Sequence, residues 1–403
     1  MSLYTELQAH RAKPSSEWIE EVRKKYPTET AIDEVFTRKL HKRGHALEHS
    51  MNFSKLLDPL TRFIKKQTGE DDIAIENLQR LSGGASKEQF TFELTLPNPG
   101  VASRKRKLMI RMDPQESIVE THRLREYQLL SAAYGEVPVP EMLWIDANGE
   151  DLGQPALIAE FLEGTVQPDT GSEKFSGVGM YFPPAHRQAL KDQFVEILAR
   201  IHRIDWRNKE LSSFEVPREN STEAVEKALG LWERAWNEDT LSAHPIMERA
   251  ALWLRENMPI VESPILVHGD YRSGNFMFDK NMNINAIFDW ELAYLGDFHD
   301  DLAWASLPLF AGPDEDGNYL ASGLLETEAF LAKYQDLSGN KVDPKKLFFY
   351  QVFSFYKISV IAAATGVRIA HGRKTHLDAM MNLASGLGCV GFSELNRLLD
   401  TAE

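Results

Sequence analysis

Two short stretches carry the residues best suited to chemistry. Leu266-Val267-His268-Gly269-Asp270-Tyr271-Arg272-Ser273-Gly274-Asn275-Phe276 is followed by Ile287-Phe288-Asp289-Trp290-Glu291, and each is an apolar run that ends by delivering polar groups at a turn. A His-x-Asp, an Asn five residues after that Asp, and a further apolar-Asp about a hairpin later supply what phosphoryl transfer from a Mg-nucleotide requires. One carboxylate orients the acceptor hydroxyl, while an amide oxygen and a second carboxylate hold the hard, oxygen-seeking Mg²⁺ against the phosphates. Taken singly, Asp270, Asn275 or Asp289 is a polar residue closing a turn. Their order and spacing together carry the catalytic reading.

Upstream, Leu81-Ser82-Gly83-Gly84-Ala85-Ser86 lies between two strand-like runs. Glycines there let backbone N–H groups approach phosphates without a Cβ in the way. A plain hairpin turn is the competing reading of the same pair.

Together these stretches resemble the signature of the aminoglycoside phosphotransferase-type small-molecule kinases, relatives of the protein-kinase fold. HGDYRSGNF and IFDWELAYLGDFHDDLAW are similar in particular to the branch of kinase-like domains fused to some acyl-CoA dehydrogenases. The resemblance implies that Asp270 is the catalytic base, that Asn275 and Asp289 are Mg²⁺ ligands, that His268 is structural, and that Arg272 faces the transferring phosphate. It places Gly83, Gly84 and Ser86 over the nucleotide. It also makes Arg111, in Leu108-Met109-Ile110-Arg111, the strand cation for the phosphates, with Glu126 of the next helix as its partner. Many relatives have Lys where this chain has Arg111, and a guanidinium fork is not interchangeable with an ammonium. A purely structural Arg111–Glu126 ion pair is the alternative. Pro155 to Gly164 resembles the hinge between lobes, with Ile158 at the gate and the backbone of Glu160, Phe161 and Leu162 bonding adenine. Leu198 to Trp206 resembles the helix with a central His that precedes the catalytic loop. The likeness covers residues 73 to 385.

The elements that must position these residues are legible in outline. Residues 1–71 read as a helical N-terminal extension, in which Pro14-Ser15-Ser16 ahead of Glu17, Glu20 and Glu21 suits a helix start. Residues 72–163 read as a β-rich nucleotide-binding lobe. Its strands are expected at Glu76–Leu81, Gln89–Leu94, Lys107–Met112, Met142–Asp146 and Ala156–Phe161, and its helix at Glu120–Tyr134. Residues 164–403 read as a helical lobe with the catalytic loop and acceptor site, interrupted by short strands between Ile265 and Trp290. The expected fold is therefore α+β and bilobal, a protein-kinase-like arrangement of a small antiparallel β lobe and a larger helical lobe.

Other polar groups have plainer readings. His41, His45 and His49 share a helical face, yet no carboxylate or Cys completes a metal set. Asp301 is expected to brace the catalytic loop rather than ligate metal, and Asp297 and Asp300 are not read as ligands. Arg368, His371, Arg373, Lys374 and His376 form a basic island that suits either a solvated loop or an anionic substrate tail. Phe175, Met180, Tyr181 and Phe182 suit a lid over the acceptor or an ordinary packed loop, and Trp232 and Trp236 suit a core.

Composition bounds the rest. The 403 residues carry a formal charge of −15, which disfavours nucleic acid as a partner. The single cysteine, Cys389, excludes an intramolecular disulfide framework and a Cys-rich zinc site, and fits a reducing compartment. MSLYTELQAHRAKP has no apolar run of signal length, and Val352 to Ala370 is interrupted by Lys357 and Arg368, so a buried helix is expected there and no membrane association. The sequence thus predicts a cytoplasmic ATP- and Mg²⁺-dependent phosphotransferase acting on a small-molecule hydroxyl. Hydroxylated metabolites, hydroxyacyl thioesters, alcohols and phenols are the candidate acceptors. An aminoglycoside kinase and a non-catalytic nucleotide-binding pseudokinase compete with it; the base and both ligands needed for catalysis are present, against the latter.

Overall fold

Four helices come first: α1 (Leu3–Ala12), α2 (Ser16–Lys25), α3 (Thr30–Lys42) and α4 (Leu57–Thr68). Ser15 caps α2 by accepting from Trp18 N at 3.2 Å, as its position before an acidic turn requires. The structure, a computed structural model, describes residues 3–43, 55–81, 87–97, 104–114, 120–169, 180–372 and 378–402.

The extension expected over residues 1–71 does not stand apart but is divided between two lobes. α4 carries Leu60, Phe63 and Ile64 on one face, and these join Phe90, Phe92, Leu108, Ile110 and Ile158 in the core of the small lobe. α3 places Ile32 and Phe36 in the core of the large lobe, against Leu229, Trp232 and Trp236. The physical reason is that each helix is too short to bury its apolar face alone, so each takes the nearest sheet or bundle.

The small lobe is a five-stranded sheet of β1 (Ala74–Arg80), β2 (Glu88–Leu96), β3 (Arg104–Met112), β4 (Met142–Asp146) and β5 (Ala156–Glu160), in the order β1-β2-β3-β5-β4. Every pairing is antiparallel, and α5 (Arg123–Ala133) lies between β3 and β4 in the chain. Central β3 is paired on both sides, with Ile110 opposite Phe90 and Ile158, and Arg111 opposite Gln89 and Leu157. Alternation therefore sends Ile110 into the core and Arg111 to the opposite face, toward the cleft.

The large lobe contains α6 (Pro184–Ile201), α7 (Glu223–Asp239) and α8 (Pro245–Glu256), then the short strands β6 (Ile265–Val267), β7 (Phe276–Phe278), β8 (Ile284–Ile287) and β9 (Tyr294–Gly296). It ends with α9 (His299–Ala305), α10 (Thr327–Ser338), α11 (Pro344–Val360), α12 (Gly366–Gly372) and α13 (Asp378–Ala402). β6 pairs with β9 and β7 with β8, so the β7–β8 hairpin lies in the chain between β6 and β9, and the two chemically rich stretches leave the ends of β6 and β8. α11 runs through a π-helical turn at Ile361–Thr365 into α12. Pro344–Ile369 is long and apolar enough to cross a membrane, yet 72% of its most apolar window is buried within the protein. Lys357 and Arg368, which interrupt its apolar run, are paired inside, Lys357 with Asp300 at 2.7 Å and Arg368 with Asp239 at 3.0 Å.

Candidate active site

The catalytic loop is built on one buried carboxylate. Asp301, at the start of α9, accepts from His268 N through Oδ2 and from Gly269 N through Oδ1, both at 2.8 Å. His202, just after α6, donates from Nε2 to Asp301 Oδ2 at 3.0 Å, and its Nδ1 accepts from the Tyr334 hydroxyl at 2.7 Å. Burial alone would raise the Asp301 carboxyl, but the hydrogen bond from His202 and the backbone donors hold it below the usual carboxylate range. His268 donates from Nε2 to Phe288 O and accepts at Nδ1 from Asp270 N, while burial keeps its ring neutral by lowering its pKa. It is a structural residue, as expected. Gly269 has φ +79°, and a Cβ there would lie 2.5 Å from Leu292 O, so only glycine lets the loop lie against β9's approach.

This bracing presents Asp270 with both oxygens held. Oδ1 accepts from Arg272 Nε at 2.8 Å and from Trp304 Nε1 at 2.6 Å, and Oδ2 accepts from Asn275 Nδ2 at 2.6 Å. Arg272 therefore grips the carboxylate it follows, with its guanidinium 4.7 Å from the centre of the Phe310 ring. The arginine expected to face the phosphate thus rests on the anion two residues before it. Asn275 also bonds Asp270 O through Nδ2 at 2.9 Å, so its Oδ1 is the atom left for a metal.

Asp289 sits at φ +61° and ψ +53°, a left-handed conformation rare for a residue with a Cβ and typical of strained functional positions. Its Oδ1 accepts from Arg111 Nη2 at 2.7 Å. Arg111 pairs as well with Glu126 at 2.8 Å and approaches Glu291 at 3.8 Å. Lys87, immediately before β2, reaches the same Glu291 at 3.6 Å and Asp113 at 3.5 Å. Arg123 ties Asp113 to Glu126. Burial pushes the Glu291 carboxyl up, and the Lys87 and Arg111 charges act against that rise. The cleft face of the small lobe is thus a lattice of alternating charge.

The residues fit a Mg-nucleotide. Asn275 Oδ1 and the free oxygen of Asp289 are hard donors, and two such ligands plus phosphates are the ordinary Mg²⁺ set. Arg111 Nε is buried without a hydrogen-bond partner among the described residues, which suits a phosphate oxygen. At the expected hinge, two backbone amides are already engaged within the protein. Glu160 N donates to Glu141 O at 2.9 Å and Phe161 N to Lys107 O at 3.2 Å, because β5 is paired on both edges. Leu162 N is the hinge amide with no such bond among the described residues. Gly83, Gly84 and Ser86 lie outside the described residues.

Residues 77–334 match the sequence model of the phosphotransferase enzyme family. The chain belongs to that family. This family member is 25% identical over 339 residues to mouse acyl-CoA dehydrogenase family member 10, covering 81% of this chain and 30% of that protein. It is 24% identical over 343 residues to human acyl-CoA dehydrogenase family member 11, covering 80% of this chain and 42% of that protein. The chain therefore spans less than half the length of these relatives. Among solved structures, a putative aminoglycoside phosphotransferase from Ralstonia eutropha superposes with a TM-score of 0.59 at 22% identity, over 85% of this chain and 98% of the other. That likeness bears out the expected bilobal fold.

Sequence reasoning missed several residues of the candidate site. Trp304 reads as one more apolar position of a short helix, and only the fold brings its N–H to Asp270. Lys87 just before β2, Arg123 at the start of α5 and Glu291 two residues after Asp289 join the site through ion pairs that cross from one element to another. The remaining polar groups are structural: Asp297 pairs with His299 at 2.5 Å, Asp300 with Lys357, and Arg368 with Asp239. Met180 and Phe182 are core residues and Tyr181 bonds Glu315 at 3.0 Å, so these three belong to a packed loop. Phe175, Arg373, Lys374, His376, His45 and His49 lie outside the described residues, as does the His371 side chain.

Proposed function

We propose that this phosphotransferase moves the γ-phosphoryl group of ATP to the hydroxyl of a small metabolite. The observation that carries the reading is the arrangement of Asp270, Asn275 and Asp289: Trp304 and Arg272 hold Asp270, Asp270 in turn holds Asn275, and Arg111 holds Asp289. Asp270 orients the acceptor hydroxyl and takes its proton. Asn275 Oδ1 and the Asp289 carboxylate hold the metal, which when bound neutralises charge on the phosphates. Arg111 transfers its grip from Asp289 to a phosphate oxygen and remains anchored by Glu126. Arg272 steadies Asp270. Catalysis rests on positioning and charge neutralisation, with no covalent enzyme intermediate.

For the acceptor, the likeness to acyl-CoA dehydrogenase family members supports a hydroxylated metabolite, with hydroxyacyl thioesters first and simple alcohols or phenols next. The groups flanking Asp270 on the α9 side are Trp304, Phe310 and Arg272, aromatic and cationic, which suits a neutral or anionic acceptor better than a polycation. A cytoplasmic setting fits this use of ATP. The test is ATP turnover with Mg²⁺ across pooled hydroxylated metabolites, hydroxyacyl thioesters and aminoglycosides, comparing wild type with Asp289→Ala. Acceptor-dependent turnover lost in the variant is the expected result. Mg-ATP binding without turnover in any pool would favour a nucleotide-binding module instead.

A further inference from the structure

The first helices of the chain do more than fill the core. Glu29, the residue that begins α3, clasps Arg125 of α5 with both oxygens, at 2.6 and 2.9 Å, and the pair is almost wholly buried. Arg125 also donates to Ser213 O at 3.0 Å and Ala293 O at 3.4 Å, and lies 3.8 Å from the centre of the Phe214 ring. Glu29 accepts in addition from Glu215 N at 3.0 Å, and Glu215 in turn accepts from Thr30 N at 2.8 Å. Arg125 is therefore the point at which α5, the N-terminal helices, the 211–215 loop and the segment after Asp289 meet.

The next residue along α5 is Glu126, the anchor of Arg111. Because Arg125 and Glu126 are rigidly adjacent on one helical turn, whatever fixes the first fixes the second. The other end of the strap is itself secured to the large lobe. Asp33 pairs with Arg234, Lys39 with Glu238 at 2.9 Å, and Arg43 with Asp239. Pro27 O also rests on the backbone of Gly230, in the middle of α7, where a Cβ would overlap it.

We propose that α2 and α3 form an intramolecular clamp, closed by Glu29 on Arg125, that holds α5 so that Glu126 presents Arg111 to the nucleotide phosphates. Glu29 is a positioning residue in this scheme and touches no substrate. The proposal rests on the phosphotransferase reading above and extends it to residues outside the family match.

The test uses the full chain with Glu29→Gln, which keeps shape and removes charge, and Arg125→Lys, which keeps charge and removes the fork. Arg23→Ala serves as control, since Arg23 pairs with Asp33 and Glu20 within the same helices but not with α5. Mg-ADP affinity is read by calorimetry and exchange of the α5 amides by mass spectrometry. Glu29→Gln is expected to bind Mg-ADP about tenfold more weakly, an ordinary coupling between sites. It should also raise the nucleotide KM but not the acceptor KM and speed α5 exchange. Arg125→Lys should fall between it and wild type, and Arg23→Ala should match wild type. Unchanged Mg-ADP affinity in Glu29→Gln, or a lowered Tm with equal nucleotide affinity and KM, would overturn the clamp and leave the phosphotransferase reading standing. Failure of the wild-type chain itself to bind Mg-ADP would overturn that reading and the clamp with it.

Discussion

The indole N–H of Trp304 donates to Oδ1 of Asp270 at 2.6 Å, from a helix 34 residues further along the chain. The opposite partner of that helix is Lys357, whose ammonium lies 4.7 Å from the centre of the Trp304 ring while it pairs with Asp300. The indole thus joins the candidate base to the buried ionic core of α11. A hydrogen bond to a charged group is worth about 1.5–3 kcal/mol. Trp304→Phe, which keeps the ring and loses the donor, should lower kcat by roughly tenfold or more and leave the nucleotide KM unchanged, read by steady-state kinetics.

Asp270→Ala should reduce transfer by at least about 10²–10⁴-fold, the usual worth of a positioned acid–base group. Mg-ADP binding should persist, since Asp270 is not among the residues assigned to nucleotide or metal. Full activity in this variant would sink the assignment of Asp270.

Arg111→Lys tests whether geometry or charge alone matters. The fork of Arg111 spans Asp289 and Glu126 at once, which a single ammonium cannot reproduce. Calorimetry should show weaker Mg-ADP binding in Arg111→Lys. Arg111→Ala should be worse and also lower Tm, because among the described residues Glu126 would keep only Arg123 to balance its buried charge.

Acid should weaken the fold through His268. Burial depresses its pKa below the unfolded value of about 6.5, so the unfolded chain binds a proton that the native chain refuses. The stability this represents is fully present above about pH 6.5 and is lost as pH falls toward the depressed native value. Denaturant midpoints measured from pH 7 to 5 should fall, with a shallower slope in His268→Gln. Equal slopes would show that the ring titrates normally in the native protein.

Gly230→Ala should reverse the ordinary sign of its substitution. In an exposed helix interior this change stabilises by about 1 kcal/mol. Here the new methyl would overlap Pro27 O, so the α2–α3 turn must move, and a lower Tm is expected. A raised Tm would mean that the turn is not seated on α7.

Much was legible in the sequence, and for local reasons. The strands of the small lobe were recognisable because alternation and turn residues are short-range signals. β4 begins and ends where Met142 and Asp146 were expected to bound it, and β3 differs only by starting three residues earlier. The order of Asp270, Asn275 and Asp289 announced the chemistry because a turn must carry those groups close together in the chain. The role of Asp301 as a brace was also within reach, since a carboxylate near a loop commonly fixes its amides.

What only the tertiary structure decided are the relationships that cross from one element to another. Arg272 pairs with Asp270, the carboxylate two residues before it, a contact that the spacing alone did not announce. Glu160 and Phe161 lost their amides to Glu141 and Lys107, because β5 is flanked on both sides. The N-terminal residues divided between two lobes, with α4 under the sheet and α3 against α7. A sequence displays apolar faces and charges but not their partners. Which sheet a short helix covers, and which of several carboxylates an arginine meets, is set by burial and desolvation summed over the whole chain.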